Sequence, residues 1–350
     1  FRKHHGDDDV RRLVKLFRDN FITEKDFSRI AALGANTIRV PLHHKLFSAG
    51  DARAEGYRYC DKIFRWAATY GLKVILDLHA APGAQNCDWH ADSAGEALLW
   101  QKPIYRRRTV ALWEQLADYA KDKPALLGYD ILNEPVLGGK SSESLTGLYR
   151  QIIRGIRSVD RTHTIFLEGD VWAQRVECLQ ELLEDGVAVS IHCYVPLTYV
   201  FNFTPFLRFP GRVDGARWNT QTLYRHLKTY ADFSRTNKTP IFVGEFGINW
   251  RGGVYGEGRW LTSIMQAFCD YGFGFTYWTY KAVAQFCFPD GVYQYIPSSP
   301  YVNRGGPTFG WERYKTLWKE GTAELATFWR TDSYTRNREV ASLLRRFFKR

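Results

Sequence analysis

The chain reads as an α/β protein, a single (β/α)8 barrel of the TIM type in which seven strands can be recognised. Three observations predict this. Near-continuous apolar runs alternate with amphipathic helical stretches from about residue 23 to about residue 330, the pattern of parallel strands buried on both faces. No Pro- or Ser-rich linker divides the 350 residues, so one large domain fits better than two. Polar residues recur where the apolar runs stop, and in this architecture the strand ends build the reactive face. The expected layout is one domain over 1–350, with the barrel over about 23–330 and a basic helical tail over 331–350.

The elements follow in order. Thr23 with Asp26 has the form of a capping box, and Phe27, Ile30 and Ala31 make a stripe that Gly34 ends. Asn36–Val40 is a short strand. Cys60, Ile63, Phe64 and Ala67 share a helical face closed by Gly71, and Lys73–His79 is an apolar strand. A helix through Val110, Trp113, Ala117 and Ala120 leads to a strand over Leu127–Glu134. A helix through Leu145, Leu148, Ile152 and Ile156 leads to strands at Thr164–Leu167 and Val187–Tyr194. A helix around Leu223, Leu227 and Tyr230 precedes the strand Ile241–Phe246. The helix Trp260–Tyr271, the strand Phe273–Tyr280 and a helix over Trp311–Trp329 complete the series. Two long connections, Ala80–Trp100 and Val195–Trp218, break the rhythm; such insertions shape the active face of a barrel.

An eighth strand is not visible. Residues Phe1–Asn20 are charged, with Val10, Leu13, Val14 and Phe17 at helical spacing. The chain begins at Phe1 and its single Met is at position 265. The expectation is that the first barrel strand lies upstream of Phe1 or is supplied in some other way.

The net charge of +11 invites a nucleic-acid reading. The charge is dispersed, however. The last forty residues hold ten Lys/Arg against five Asp/Glu, Arg106-Arg107-Arg108 forms a second cluster, and no nucleic-acid motif accompanies them. Solvated helix faces account for it, with weak attraction to an anionic membrane surface as the other reading. Six cysteines without a C-x-x-C spacing argue against structural zinc. No apolar run reaches the ~18 residues of a membrane-spanning helix. Asn202 and Asn237 stand in glycosylation-type triplets. The compartment is not fixed by these features; the expectation leans to a secreted or extracytoplasmic one. Aromatics reach 16% with 12 Trp, enough to line a sugar-binding groove as well as a core.

The strand ends supply Arg39, His79, Asn133-Glu134, His192 with Tyr194, Glu245 and Trp278. Unpaired burial of so many polar groups is unfavourable, so they converge on one rim for a purpose. Two of them are carboxylates, Glu134 and Glu245. Cleavage of a glycosidic bond uses such a pair, one to protonate the leaving oxygen and one to attack or to direct water. Counted as the second to eighth strands, the visible strands place these groups on the fourth and seventh, facing each other across the barrel mouth.

The segments Asn36-Thr-Ile-Arg-Val-Pro, Leu76-Asp-Leu-His, Leu132-Asn-Glu-Pro, His192-Cys-Tyr, Gly244-Glu-Phe-Gly and Tyr277-Trp make the chain resemble glycoside hydrolase family 5, retaining β-glycosidases on a (β/α)8 barrel. The resemblance implies a general acid/base at Glu134 and a nucleophile at Glu245. It implies that Asn133 binds the sugar 2-hydroxyl, although strand alternation would turn Asn133 away from Glu134. Arg39 and Tyr194 resemble groups that hold the nucleophile, His79 and His192 substrate-binding and orienting groups, and Trp278 the platform beneath the sugar. Arg39 also has a structural reading, an ion pair with Asp77 or Asp130. Glu134 is expected to have a raised pKa, with the charge of Glu245 as the cause. The family implies no metal and no cofactor. His43-His44 with His79 lacks a third ligand at helpful spacing. Gly139-Lys-Ser lacks the first Gly of a phosphate loop, and no G-x-S-x-G elbow supports a Ser nucleophile.

The loop Ala81-Pro-Gly-Ala-Gln-Asn resembles that of exo-acting β-glucanases, so the expected substrate is a β-linked, glucose-based oligo- or polysaccharide or glucoside. Trp89, Trp100, Trp172 and Trp250 are candidates to line further subsites. Alternatives are an endo-β-1,4-glucanase or β-mannanase, a glycolipid β-glycosidase using the apolar loop Tyr199–Phe209, or an inactive carbohydrate-binding barrel.

Overall fold

The computed structural model describes residues 1–47, 54–284, 287–296 and 313–349. Helix α1 (Arg2–Phe21) and helix α2 (Glu24–Ala32) precede the first strand, β1 (Thr37–His43). Alternation then runs through α3 (Glu55–Thr69), β2 (Lys73–Ala80), α4 (Pro103–Ala120), β3 (Leu126–Asp130), α5 (Glu143–Val159) and β4 (Thr164–Glu168). It continues through β5 (Val187–His192), α6 (Thr220–Asn237), β6 (Ile241–Phe246), α7 (Glu257–Asp270) and β7 (Gly274–Tyr277). Helices α8 (Thr322–Trp329) and α9 (Arg338–Phe348) follow.

The seven strands form one parallel sheet in the order β1 to β7. Its strands are apolar on both faces, as Val74, Ile75, Leu76 and Leu78 of β2 show by complete burial, and the helices cover the outside. The sheet curls into a barrel. Between β1 and β7 lies a cavity of about 620 Å³. Ile38 and Val40 flank it on one side and Phe275 and Tyr277 on the other, with Phe27 and Phe347 closing it outside. Among the described residues the barrel sheet has the expected seven strands.

Local sequence explains the helix ends. The capping box forms: Thr23 N–H donates to the Asp26 carboxylate at 2.7 Å. Asn219 caps α6 by accepting from Thr222 N–H, and Asn337 caps α9 by accepting from Val340 N–H. The basic tail is a packed part of the barrel. Val340, Ala341, Leu344 and Phe347 are buried, and Phe348 meets Phe275 of β7 with ring centroids 5.9 Å apart. Its Arg345 and Arg346 fall in the last turn, where cations oppose the helix dipole favourably.

Three expectations need correction. The strand expected over Leu127–Glu134 ends at Asp130, and Glu134 has φ of 48°. The alternation that set Asn133 against Glu134 therefore stops before it reaches them. The single helix expected over Trp311–Trp329 is two: Tyr314–Leu317 and Thr322–Trp329, with Gly321 between them; Trp311 lies outside the described residues. Of the four tryptophans offered for subsites, Trp100 and Trp250 are buried, whereas Trp89 and Trp172 are exposed.

Candidate active site

All eight expected residues come together on one side of the barrel, seven of them at or just beyond strand ends and Arg39 from within β1, which runs on to His43. Arg39 projects from β1, and its side chain is almost fully buried. It donates to Asp130 at 2.8 Å, and to Glu245, Asn133 and Glu168 at 2.9 Å each. Asp77 lies 3.1 Å from it as well. The structural and the nucleophile-holding readings of Arg39 are thus one arrangement. Burial works against its charge, and the surrounding carboxylates outweigh that and hold its pKa well above the ordinary value. Four acidic neighbours exceed one guanidinium. Burial, with Glu168 beside it, pushes Asp130 well above the usual carboxylate range, which reduces the excess.

Glu245 sits in β6 and is held at both oxygens. Arg39 Nη1 donates to Oε1 at 2.9 Å and Tyr194 O–H to Oε2 at 2.8 Å. Burial and the charge of Glu245 keep the Tyr194 phenol well above its ordinary pKa, so it stays a donor. Glu134 lies opposite. Its Oε1 is 2.6 Å from His192 Nδ1, and its main-chain N–H donates to Glu168 Oε2 at 2.6 Å. The other His192 nitrogen lies 3.1 Å from Glu168, so this imidazole stands between two carboxylates. Burial disfavours charge on His192, but Glu168, Glu245 and Glu134 raise its pKa well above the ordinary value. An oxygen of Glu134 and an oxygen of Glu245 lie within 4.8 Å of each other.

The expectation of a raised pKa on Glu134 is corrected here. Burial raises its pKa, but His192 and then His90 outweigh that and bring it below the usual carboxylate range. The dominant neighbours are two imidazoles rather than Glu245. His90 Nε2 lies 3.2 Å from Glu134 Oε2.

His79 and Trp278 form an aromatic pair beside these groups. His79 contacts Asp77 through Nδ1 at 2.8 Å and stacks on Trp278, with ring planes 3° apart and centroids at 5.5 Å. Asn133 accepts from Arg39, and its buried Nδ2 has no hydrogen-bond partner. A donor in that state suits a hydroxyl that arrives with substrate.

Sequence reasoning passes over Glu168, Gln85, Asn86 and His90. Glu168 ends the apolar strand β4, so the strand-end rule reaches it once the strand is read one residue further. Gln85 has no such signal. It is buried, donates to the carbonyls of His79 and Asn133 at 2.7 Å, and accepts from Ala81 N–H. It thereby locks the loop after β2 to the turn that carries Glu134. His43 and His44 do gain a third neighbour, Asp92. Lys45 already lies 2.5 Å from that carboxylate, and its charge opposes a cation there; His79 is not part of the group.

Known structures share this fold. One glycoside hydrolase crystal structure superposes with a TM-score of 0.70 at 20% identity, covering 92% of each chain. The Thermotoga maritima Cel5A endoglucanase superposes with a TM-score of 0.61 at 24% identity, over 78% of this chain and 85% of that one. The architecture is therefore that of a (β/α)8 barrel. The sequence matches the profile of Cellulase (glycosyl hydrolase family 5) over residues 10–283, and the chain belongs to that family. It is 33% identical over 238 residues to a beta-xylosidase of Phanerodontia chrysosporium, covering 66% of this chain and 48% of that protein. It is 23% identical over 298 residues to Endoglucanase C of Acetivibrio thermocellus, covering 75% of this chain and 85% of that one. The chain thus spans about half the length of the beta-xylosidase.

Proposed function

We propose that the protein is a retaining glycoside hydrolase acting on β-linked, glucose-based glycans or glucosides, with Glu245 as nucleophile and Glu134 as general acid/base. The separation of the two carboxylates carries this reading. An oxygen of each within 4.8 Å of the other suits the ~5–5.5 Å carboxyl separation of retaining enzymes better than the ~6.5–9.5 Å of inverting ones.

The chemistry follows from the contacts. Glu245, held by Arg39 and Tyr194, attacks the anomeric carbon from one face. Glu134 gives a proton to the leaving oxygen on the other, so the alcohol departs neutral. A glycosyl ester on Glu245 results. Glu134, now a carboxylate, takes a proton from water as it attacks the same carbon, and Glu245 is released. Asn133 Nδ2 supplies a donor for the 2-hydroxyl, whose hydrogen bond strengthens as the ring gains positive charge. Trp278, backed by His79, offers an apolar face to the C–H bonds of the sugar.

Relatives named glucan 1,3-beta-glucosidase and endoglucanase support a glucose-based substrate and leave exo and endo action to experiment. A hydrolysis screen over β-1,3-, β-1,4- and mixed-linkage glucans, mannan, xylan and aryl glycosides, with product lengths recorded, tests the proposal. Release of product only from glucose-based substrates is expected, and binding without hydrolysis of any of them would refute it. A glycolipid substrate is the second reading. Leu197, Phe203, Phe206 and Val254 are all exposed, and an apolar surface of this kind suits a lipid interface.

A further inference from the structure

The geometry points to His90 as a positioning residue for the acid/base, one that holds jointly with Glu134 Oε2 the proton the leaving oxygen receives. This rests on the assignment of Glu134 as acid/base, and it adds a residue outside the strand-end set.

His90 lies in a short 3-10 turn, Trp89–Ala91, in the loop after β2. Its Nε2 faces two groups: Glu134 Oε2 at 3.2 Å and Asn86 Nδ2 at 3.0 Å. The orientation of the Asn86 amide is fixed from elsewhere. Asn86 Oδ1 accepts from Asp88 N–H at 2.9 Å, and Nδ2 donates to the main-chain oxygen of Glu134 at 2.9 Å. Reversing the amide would set donor against donor and acceptor against acceptor at both contacts. The second N–H of Asn86 therefore points at His90 Nε2 and calls for a lone pair there. An unprotonated Nε2 and a carboxylate oxygen repel at 3.2 Å; a proton on Glu134 Oε2 turns that approach into one arm of a three-centre contact, in which the O–H and the Asn86 N–H share the single Nε2 lone pair.

The two imidazoles on Glu134 thus differ. His192 stands between Glu134 and Glu168, and both favour its charged form. His90 has Glu134 as its near carboxylate, with Asp88 and Glu245 acting on it from further away and the rings of His79 and Trp89 beside it. Burial disfavours charge on His90, yet Glu134 outweighs it and raises the pKa. The pair as a unit keeps its last proton to a higher pH than an ordinary imidazole, and Asn86 biases that proton toward Glu134. In the first step the proton leaves Oε2 for the glycosidic oxygen as the C–O bond breaks and the bond to Glu245 forms; His90 stays neutral. In the second step the attacking water returns a proton to the pair.

The test compares His90→Gln and His90→Ala with the unaltered chain. Substrates are two aryl β-glucosides, one with a dinitrophenolate leaving group that needs no protonation and one with an unactivated phenol that does. The expected result is a loss of about tenfold or more in kcat/KM on the unactivated substrate, with less than about threefold on the activated one. The alkaline limb of the kcat/KM profile should move to lower pH in both variants. An equal loss on both substrates, or an unmoved alkaline limb, overturns the proposal, even at full activity. Near-ultraviolet circular dichroism identifies a variant that has not folded, and Gln, which keeps a hydrogen-bonding side chain, serves if Ala does not fold. Glu134→Gln is measured alongside. If it shows no dependence on leaving group, the acid/base assignment itself fails; if it does and the His90 variants do not, only the role of His90 fails.

Discussion

Glu168 carries Glu134 from below: its Oε2 accepts the main-chain N–H of Glu134 at 2.6 Å, while Oε1 takes Arg39 at 2.9 Å. One fully buried carboxylate thus couples the residue that moves the proton to the residue that steadies the nucleophile. The turn after β3, with its φ of 48° at Glu134, has this contact to hold it.

Glu168→Ala should lower both stability and activity. It leaves Arg39 and His192 with less compensation in a dry site, and breaking a buried ion pair typically destabilises by about 3–5 kcal/mol. Urea unfolding is the measurement. A loss below about 1 kcal/mol would show that Glu168 behaves like a surface charge.

Tyr194→Phe removes the donor to Glu245 Oε2 and little else. A hydrogen bond to a charged group is worth about 1.5–3 kcal/mol, so kcat/KM should fall about tenfold to a hundredfold with the melting temperature nearly unchanged. An unaltered kcat/KM would mean that the 2.8 Å contact does not form during turnover.

Arg39→Lys should inactivate the protein despite conserving charge. The guanidinium serves Asp130, Glu245, Asn133 and Glu168 at once, and a point-like ammonium on a flexible stem has no fork to match them. Turnover of an aryl glucoside by the folded variant is the measurement; a rate within about threefold of the unaltered chain would contradict the account.

Away from the site, Asp160 sets an acid-stability prediction. It accepts from Tyr129 O–H at 2.6 Å, from the main-chain N–H groups of Thr162 and His163, and contacts His163 Nδ1 at 2.7 Å. Burial raises its pKa, but these donors lower it well below the ordinary value. A carboxylate depressed in the fold adds stability above the unfolded pKa of about 3.9, and that stability is lost as pH falls through the lower folded value. Asp160→Asn should therefore destabilise by about 2 kcal/mol at pH 7 and progressively less below pH ~4. Denaturant unfolding at pH 7 and pH 3 checks it; an equal difference at both would show that the contacts do not depend on charge.

Phe203→Ser with Phe206→Ser separates the two substrate readings. Both rings are exposed, so a soluble aryl glucoside should be cleaved as before. For a glycolipid in vesicles, the second reading expects a loss of several-fold or more, and unchanged cleavage there would remove the case for a lipid interface.

How much of this was legible in the sequence follows from where each signal lives. The strand ends His79, His192 and Glu245 stand at the close of apolar runs, and periodicity finds them; Arg39 is found the same way although its strand runs on to His43. Glu134 and Asn133 read as the end of a strand over Leu127–Glu134, yet that strand stops at Asp130 and a positive φ at Glu134 breaks the period on which alternation depends. Trp100 and Trp250 resemble Trp89 and Trp172 in composition alone; only packing separates a core indole from an exposed one. His90 and Gln85 act through a loop whose fold is set by contacts to the next strand's turn, and no local pattern encodes such contacts. The basic tail looked solvated because its charges are dense, while its apolar face Val340, Leu344 and Phe347 was the part that decided its place.

The nucleophilic role of Glu245 is tested most directly by Glu245→Ala assayed with an activated aryl β-glucoside in the presence of sodium azide, the product being read by proton NMR. The account predicts a fall in rate of roughly 10³-fold or more without azide. With azide it predicts partial recovery and an α-glycosyl azide, formed by a single displacement at the vacated face. Near-normal hydrolysis without azide, or a product that retains the β configuration, would contradict it.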